Sequence, residues 1–222
     1  MLKKPSNNLP SPPHPCLFCG HVADSGEHVW SQWMRPLFRR GAHDQTIQTK
    51  FKLGVQDPGD GEPLIRHGHP TNRQVKVVCA QCNHGWMSRL EREVKPFLEP
   101  MIKGRRTSLD SNAQRILTQW ITLKMMVWEH TDRNDAAFER DQTLEFGASR
   151  AIPTNLRILL FCADDGSHAN VSRAFAALYP SSLIAREVMR DGRVRPNTQT
   201  ISLSVGKLVV FATHSHLPEL EL

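Results

Sequence analysis

Four of the five cysteines in this chain stand as two C-x-x-C pairs, Cys16 with Cys19 in "PCLFCG" and Cys79 with Cys82 in "VVCAQCN". No other feature constrains the fold as much. Each pair folds into a tight knuckle that presents two thiolates, and four thiolates match the closed tetrahedral site of a structural zinc. The pairs lie further apart than the usual ribbon spacing of about 15 to 20 residues. A knuckle needs only its own few residues, so the chain between the pairs can be long. Five cysteines are too few and too unevenly placed for a disulfide framework, and in a reducing compartment this arrangement points to metal. Cys16, Cys19, Cys79 and Cys82 are therefore the expected zinc ligands. A zinc closed by four thiolates leaves no position for substrate, so any metal-assisted catalysis here requires a second metal.

The second pair has a particular setting. "RQVKVVC" reads as a strand running into the knuckle, and "NHGWMSRLEREVKPFLEPM" begins a helix that Pro96 should end or kink. Zinc would thus fix Asn83 and His84 in space at the start of that helix, although zinc itself needs neither residue.

The rest of the chain sorts into three regions. Residues 1–15 are rich in Pro, Ser and Asn and read as a flexible lead-in. Residues 16–104 form the zinc-stabilised module, which includes a short strand near Glu27 to Trp30, a loop at "QDPGDGEP" and a strand at Thr46 to Val55. Residues 105–222 read as a long helix followed by an antiparallel sheet. The helix spans about Asn112 to His130, is capped by Asp110 or Ser111, and carries an apolar stripe of Ile116, Leu117, Trp120, Leu123, Val127 and Trp128. The strands are "LRILLFCA", "TQTISLSV" and "KLVVFAT", the last two joined by a turn at Gly206. Cys162, within the first of these, reads as a packing residue of a buried strand. The histidines of "RHGHP" (His67, His69) and "THSH" (His214, His216) have ligand-like spacing but read as exposed. The fold class is α+β.

With 222 residues, 39% of them hydrophobic, the chain can bury a sizeable core. No run approaches the roughly 18 apolar residues of a membrane span, and the N-terminus lacks the apolar centre of a signal peptide. A cytoplasmic protein that does not enter a membrane is expected. The formal net charge is +6, and all of the excess lies in the first half: residues 1–110 carry 16 Lys and Arg against 10 Asp and Glu, while residues 111–222 carry 12 of each. A basic half attracts phosphate backbones. Arg35, Arg39, Arg40, Arg73, Lys76 and Arg89 are the candidate nucleic-acid contacts.

The order C-x-x-C, "EHVW" about eight residues on, then "VVCAQCN-x-G-W" leading into a helix resembles the HNH endonuclease family in its four-cysteine, zinc-stabilised form. The resemblance runs from Cys16 to Glu91 and leaves Asn112 to Leu222 without a counterpart. It implies a treble-clef-like zinc module with a ββα-metal nuclease core, in which two strands and a helix hold one divalent ion, Mg2+ or Mn2+, at the scissile phosphate. Carried over by position, Glu27 is a metal ligand and His28 the general base. Asn83 is the helix ligand, with His84 the other candidate, and Asn72 orients the base. DNA is the implied partner, with RNA left open; nothing in the pattern bears on oligomeric state.

The residue types suit that chemistry. Phosphodiester hydrolysis needs a water made nucleophilic near neutral pH, for which an imidazole has the right proton affinity. It also needs charge stabilisation at the phosphate, which a hard cation on carboxylate and amide oxygens supplies. Trp30, Trp33 and Trp86 are expected to pack the module against the zinc. Two other readings use the same residues: a zinc-stabilised module that binds nucleic acid without cutting it, and a zinc-organised scaffold for protein partners.

Overall fold

The computed structural model describes residues 14–38, 45–48, 64–131, 136–164, 170–176 and 196–217. Arg39, Arg40, nearly all of the 1–15 segment and most of the Thr46 to Val55 strand lie outside these residues. The architecture is mixed α/β, with a cysteine cluster, helices and separate sheets.

The first knuckle turns through Gly20, whose positive φ of 79° is one that a residue without Cβ adopts at low cost. Its amide donates to the Cys16 carbonyl at 3.0 Å, closing the turn. Strand β1 (Ser25–His28) then pairs antiparallel with β4 (Gln74–Val78), setting His28 opposite Gln74. Between them in sequence, β2 (Gln45–Gln48) pairs with β3 (Leu64–His67). A 3-10 turn over Gln32–Leu37 follows β1, and another over Pro70–Asn72 precedes β4. After β4 the chain forms the second knuckle, one helical turn α1 (Ala80–Cys82), and a widened turn over Asn83–Met87 that breaks at Gly85. Helix α2 (Ser88–Ile102) continues from it.

Helix α2 passes through both Pro96 and Pro100, so Pro96 does not end it. Each proline removes a bond to the carbonyl four residues back, here Arg92 and Pro96. Both of these residues are exposed, a setting in which a released carbonyl costs little. The opposite face of α2 buries Leu90, Val94, Leu98 and Ile102 at helical spacing.

Helix α3 (Ser111–Glu129) starts where Asp110 accepts a bond from the Ala113 amide at 2.8 Å, as capping chemistry predicts. Every residue from Gln119 to Glu129 is buried, so α3 is the central element and not a one-sided helix. Helix α4 (Arg140–Ser149) returns to the first knuckle. The Arg140 guanidinium donates to the carbonyls of Leu17 and Cys16 at 2.8 and 2.9 Å, and Phe146 packs against Phe18 and Trp86.

Strands β5 (Leu156–Cys162), β6 (Asn170–Ala176), β7 (Thr198–Val205) and β8 (Leu208–Ser215) form one antiparallel sheet in the order β5-β8-β7-β6. The β7–β8 turn uses Gly206 at φ 54°, where an added Cβ would collide with the Ile102 carbonyl oxygen. That turn seats on the end of α2, where the Lys207 amide donates to the same carbonyl at 2.8 Å. Inward-facing Ile201, Leu203, Val205, Leu208, Val210 and Ala212 join a core continuous with α2, α3 and the knuckles. β5 is an edge of the sheet, and its Cys162 is exposed, as are Leu159 and Phe161. The expectation of a buried strand there fails because, among the described residues, both faces of its Leu159–Cys162 end are left uncovered. His214 departs in the other direction: it is fully buried and stacks on Phe138 with ring centroids 4.0 Å apart.

The α3 C-terminus carries a buried carboxyl. Glu129 accepts bonds from the amides of Ala137 and Phe138 at 2.8 and 3.2 Å, yet burial pushes its pKa up to about 8. An unfolded glutamate titrates at about 4.3, so between those values the folded chain holds a proton the unfolded chain has lost. Stability therefore falls by about 1.4 kcal/mol for each unit of rising pH across that window. His214, pushed down to about 4 by burial, acts in the opposite sense and loses stability as pH falls below about 6.5. Between about pH 6.5 and 8 Glu129 contributes this falling slope, while the cysteines, which lose their protons to hold zinc, contribute a rising one that a change at Glu129 leaves in place. Urea midpoints should show wild type losing about 2 kcal/mol relative to Glu129→Gln over that interval. Equal slopes for the two proteins would refute the assignment.

Candidate zinc centre and the face around His28

The structure brings Cys16, Cys19, Cys79 and Cys82 together, with the ligating atoms all within 4.8 Å of one another. Backbone bonds hold the two knuckles in place: Leu17 N donates to Val77 O at 2.8 Å, and Asn83 N to Cys79 O at 3.0 Å. Asp24 accepts from the Ala80 amide at 2.7 Å, so the first segment caps the turn of the second. The Cys82 amide points at Cys79 Sγ from 3.4 Å, an N–H to sulfur bond that stabilises a thiolate.

The group fits zinc. With Zn–S bonds of about 2.3 Å, a tetrahedron has S···S edges of about 3.8 Å. Cys19 Sγ and Cys79 Sγ lie 3.5 Å apart, far beyond a disulfide bond, and all five cysteines are free. Cys16, Cys79 and Cys82 are buried. Burial, more than any other influence, pushes the Cys82 thiol up. Four thiolates packed this closely need a cation to balance them. Such a zinc would be structural, clamping the strand-knuckle-helix segment to the first knuckle.

The residues expected around a second metal take different positions. Successive strand residues face opposite sides, and Glu27 and His28 do so. The Glu27 side chain turns into the core, 8% exposed, where Lys124 Nζ donates to its carboxylate at 2.8 Å. There an ammonium from α3 pairs with the carboxylate expected to hold a metal. Lys124 also donates to Glu91 Oε1 at 2.8 Å and to the His28 carbonyl at 3.1 Å. Glu91 in turn accepts from the indoles of Trp33 at 2.9 Å and Trp120 at 3.0 Å. Burial works against both charges, but each overcomes it: the two carboxylates hold Lys124 above the usual ammonium range, and Lys124 holds Glu91 below the usual carboxyl range.

His28 faces outward. Two carboxamides close on its Nε2, Gln74 at 2.7 Å and Gln32 at 2.8 Å. That nitrogen carries either one lone pair or one proton, so it satisfies one carboxamide at a time. Burial lowers the His28 pKa and Lys124 adds to the effect, while Glu27 and Glu91 oppose it. Asn83 Nδ2 donates to Ser25 Oγ at 2.9 Å and Gly26 O at 3.1 Å, tying the helix start to β1. His84 is exposed. Asn72 is exposed, and its Oδ1 accepts from Arg35 at 2.9 Å. Lys76 and Arg89 are exposed and Arg73 is half-buried. Among the described residues, the four cysteines form the group of three or more His, Cys, Asp or Glu side chains within ligating reach of one another. Glu27, His28 and His84 do not make a second such group.

Glu91, Lys124, Gln32 and Gln74 lie outside the motifs of the sequence. Lys124 has a readable signal: it stands alone as a charge in "WITLKMMVW", inside a helix that reads as core. A lysine there requires a carboxylate partner. The glutamines carry no signal, because their pairing with His28 depends on the β1–β4 register.

Comparison with profiles of known protein families, with curated proteins and with solved structures finds no match to this chain. No helix among the described residues is long and apolar enough to cross a membrane.

Proposed function

We propose that this chain is a zinc-stabilised nucleic-acid-binding module that does not cut its partner. The observation carrying this reading is the burial of Glu27 against Lys124, which removes the carboxylate a catalytic divalent ion would need. What remains on the outer face of β1 and β4 is a hydrogen-bonding surface. His28 and Gln74 face each other across the pair, and Lys76, two residues along β4, shares the face of Gln74. Gln32, Arg35 and Asn72 border it. Because His28 Nε2 satisfies one carboxamide at a time, the other is left to bond elsewhere, and carboxamides match the donor and acceptor pattern of base edges. Lys76, Arg35 and Arg89 supply the cations that hold phosphates. The resemblance of "EHVW" and "VVCAQCN" to HNH endonucleases supports the same class of partner.

The test is fluorescence anisotropy with duplex DNA, single-stranded DNA and RNA across a salt series, beside a plasmid incubation with Mg2+ or Mn2+. Binding should weaken steeply with salt, with a log–log slope of about −3 for three to four phosphate contacts. Lys76→Glu should weaken binding by about tenfold or more through reversed charge. Salt-insensitive association, or no association, would remove the nucleic-acid reading. Plasmid cleavage that needs the divalent ion and disappears in His28→Ala would replace it with the endonuclease reading.

A further inference from the structure

We infer that Lys124 is the resident cation of a three-oxygen site, doing for strand β1 what a divalent ion does elsewhere. Its ammonium has three N–H donors and three partners: Glu27 Oε1 at 2.8 Å, Glu91 Oε1 at 2.8 Å and the His28 carbonyl at 3.1 Å. Two carboxylates and a carbonyl are a hard-cation donor set. They carry two negative charges against one ammonium, a balance that a divalent ion would neutralise fully. The Trp33 and Trp120 indoles donate to Glu91 and support the remaining charge. Oxygens about 2.8 Å from an ammonium need to close in by only a few tenths of an ångström to reach the 2.3 to 2.6 Å of a Ca2+ site.

The site joins three separate parts of the chain: β1 through Glu27 and His28, α2 through Glu91 and α3 through Lys124 itself. By holding the His28 carbonyl from the interior, Lys124 sets where the imidazole emerges against Gln74. It is a positioning residue for the outer face. The protein therefore needs no divalent ion at Glu27, and shortening Lys124 converts the place of the ammonium into a site for one.

The experiment uses zinc-loaded full chain and Mn2+ or Ca2+ chloride as the probe, with Mn2+ binding followed by electron paramagnetic resonance and stability by thermal unfolding. Lys124→Ala should bind one Mn2+ at least about tenfold more tightly than wild type and should be stabilised by the ion. Adding Glu27→Gln should abolish that gain. A merely structural lysine would give a variant that is less stable and indifferent to Mn2+ and Ca2+, and this result overturns the inference. If Lys124→Ala does not fold alone, refolding in Mn2+ or Ca2+ should rescue it, and failure to do so also overturns the inference. Wild type provides an independent arm: Mn2+ bound beyond the zinc and lost in Glu27→Gln would mean that Lys124 is not the resident cation.

Discussion

Stripping zinc from the folded protein with a chelator is expected to unfold the region from Cys16 to Ile102 and to collapse the core shared with α3. Structural zinc in small modules contributes about 10–16 kcal/mol of apparent binding free energy at neutral pH. A whole domain is stable by only about 5–15 kcal/mol, so little folded structure survives the loss. The first knuckle has few resources of its own beyond Leu17 and Phe18, both buried, and the clamp from Arg140. Cys79→Ser should act like chelation, because it removes a ligand and also the sulfur that the Cys82 amide faces. Cys162→Ser is the control: it changes an exposed thiol and should alter stability by less than about 0.5 kcal/mol. All five tryptophans lie between Trp30 and Trp128, so their fluorescence reports the transition directly. A protein shown by metal analysis to contain no zinc, yet melting at the same temperature, would end the structural-zinc reading.

The second large effect belongs to the buried charges. Lys124→Met should cost about 3–5 kcal/mol, because removing one partner of a buried ion pair strands the others. Here it strands two, with the Glu27 and Glu91 side chains 8% and 18% exposed. Converting all three residues together, Lys124→Met with Glu27→Gln and Glu91→Gln, should recover most of the loss. The Glu91→Gln amide keeps one acceptor oxygen, for one of the Trp33 and Trp120 indoles that Glu91 serves, and no unpaired charge remains. Urea unfolding of wild type, the single variant and the triple variant measures this. A single variant costing under about 1 kcal/mol, or a triple variant no better than the single one, would show that the cluster contributes little.

Much of the metal centre is legible in the order of the residues. Two C-x-x-C knuckles, one ending a strand and the other carrying Gly20, state their ligands through spacing alone. Asp110 as the start of α3 and Gly206 as a hairpin turn are legible for a similar reason. Each depends on φ, ψ and hydrogen bonds among residues a few positions apart. The apolar stripe on α3 marks that helix as core but understates its burial, since a helix surrounded on every side has no polar face to mark its limits.

The candidate site is less legible. "EHVW" places a carboxylate beside an imidazole, and that order is the same whether both face one metal or, as here, opposite sides of a strand. The choice is made by Lys124, which reaches Glu27 across 97 positions of sequence. The same limit applies to the edge strand of Cys162 and to the prolines of α2: an apolar run does not say whether another element covers it, and a proline does not say whether the carbonyl it releases meets water. The cysteine knuckles, the caps and the turns follow from the chain's own order, because backbone stereochemistry acts within a few residues. Which charge neutralises which, and which face of β1 meets solvent, depend on how distant elements pack. A buried charge is tolerable only beside an opposite one, and the chain must fold before that neighbour exists.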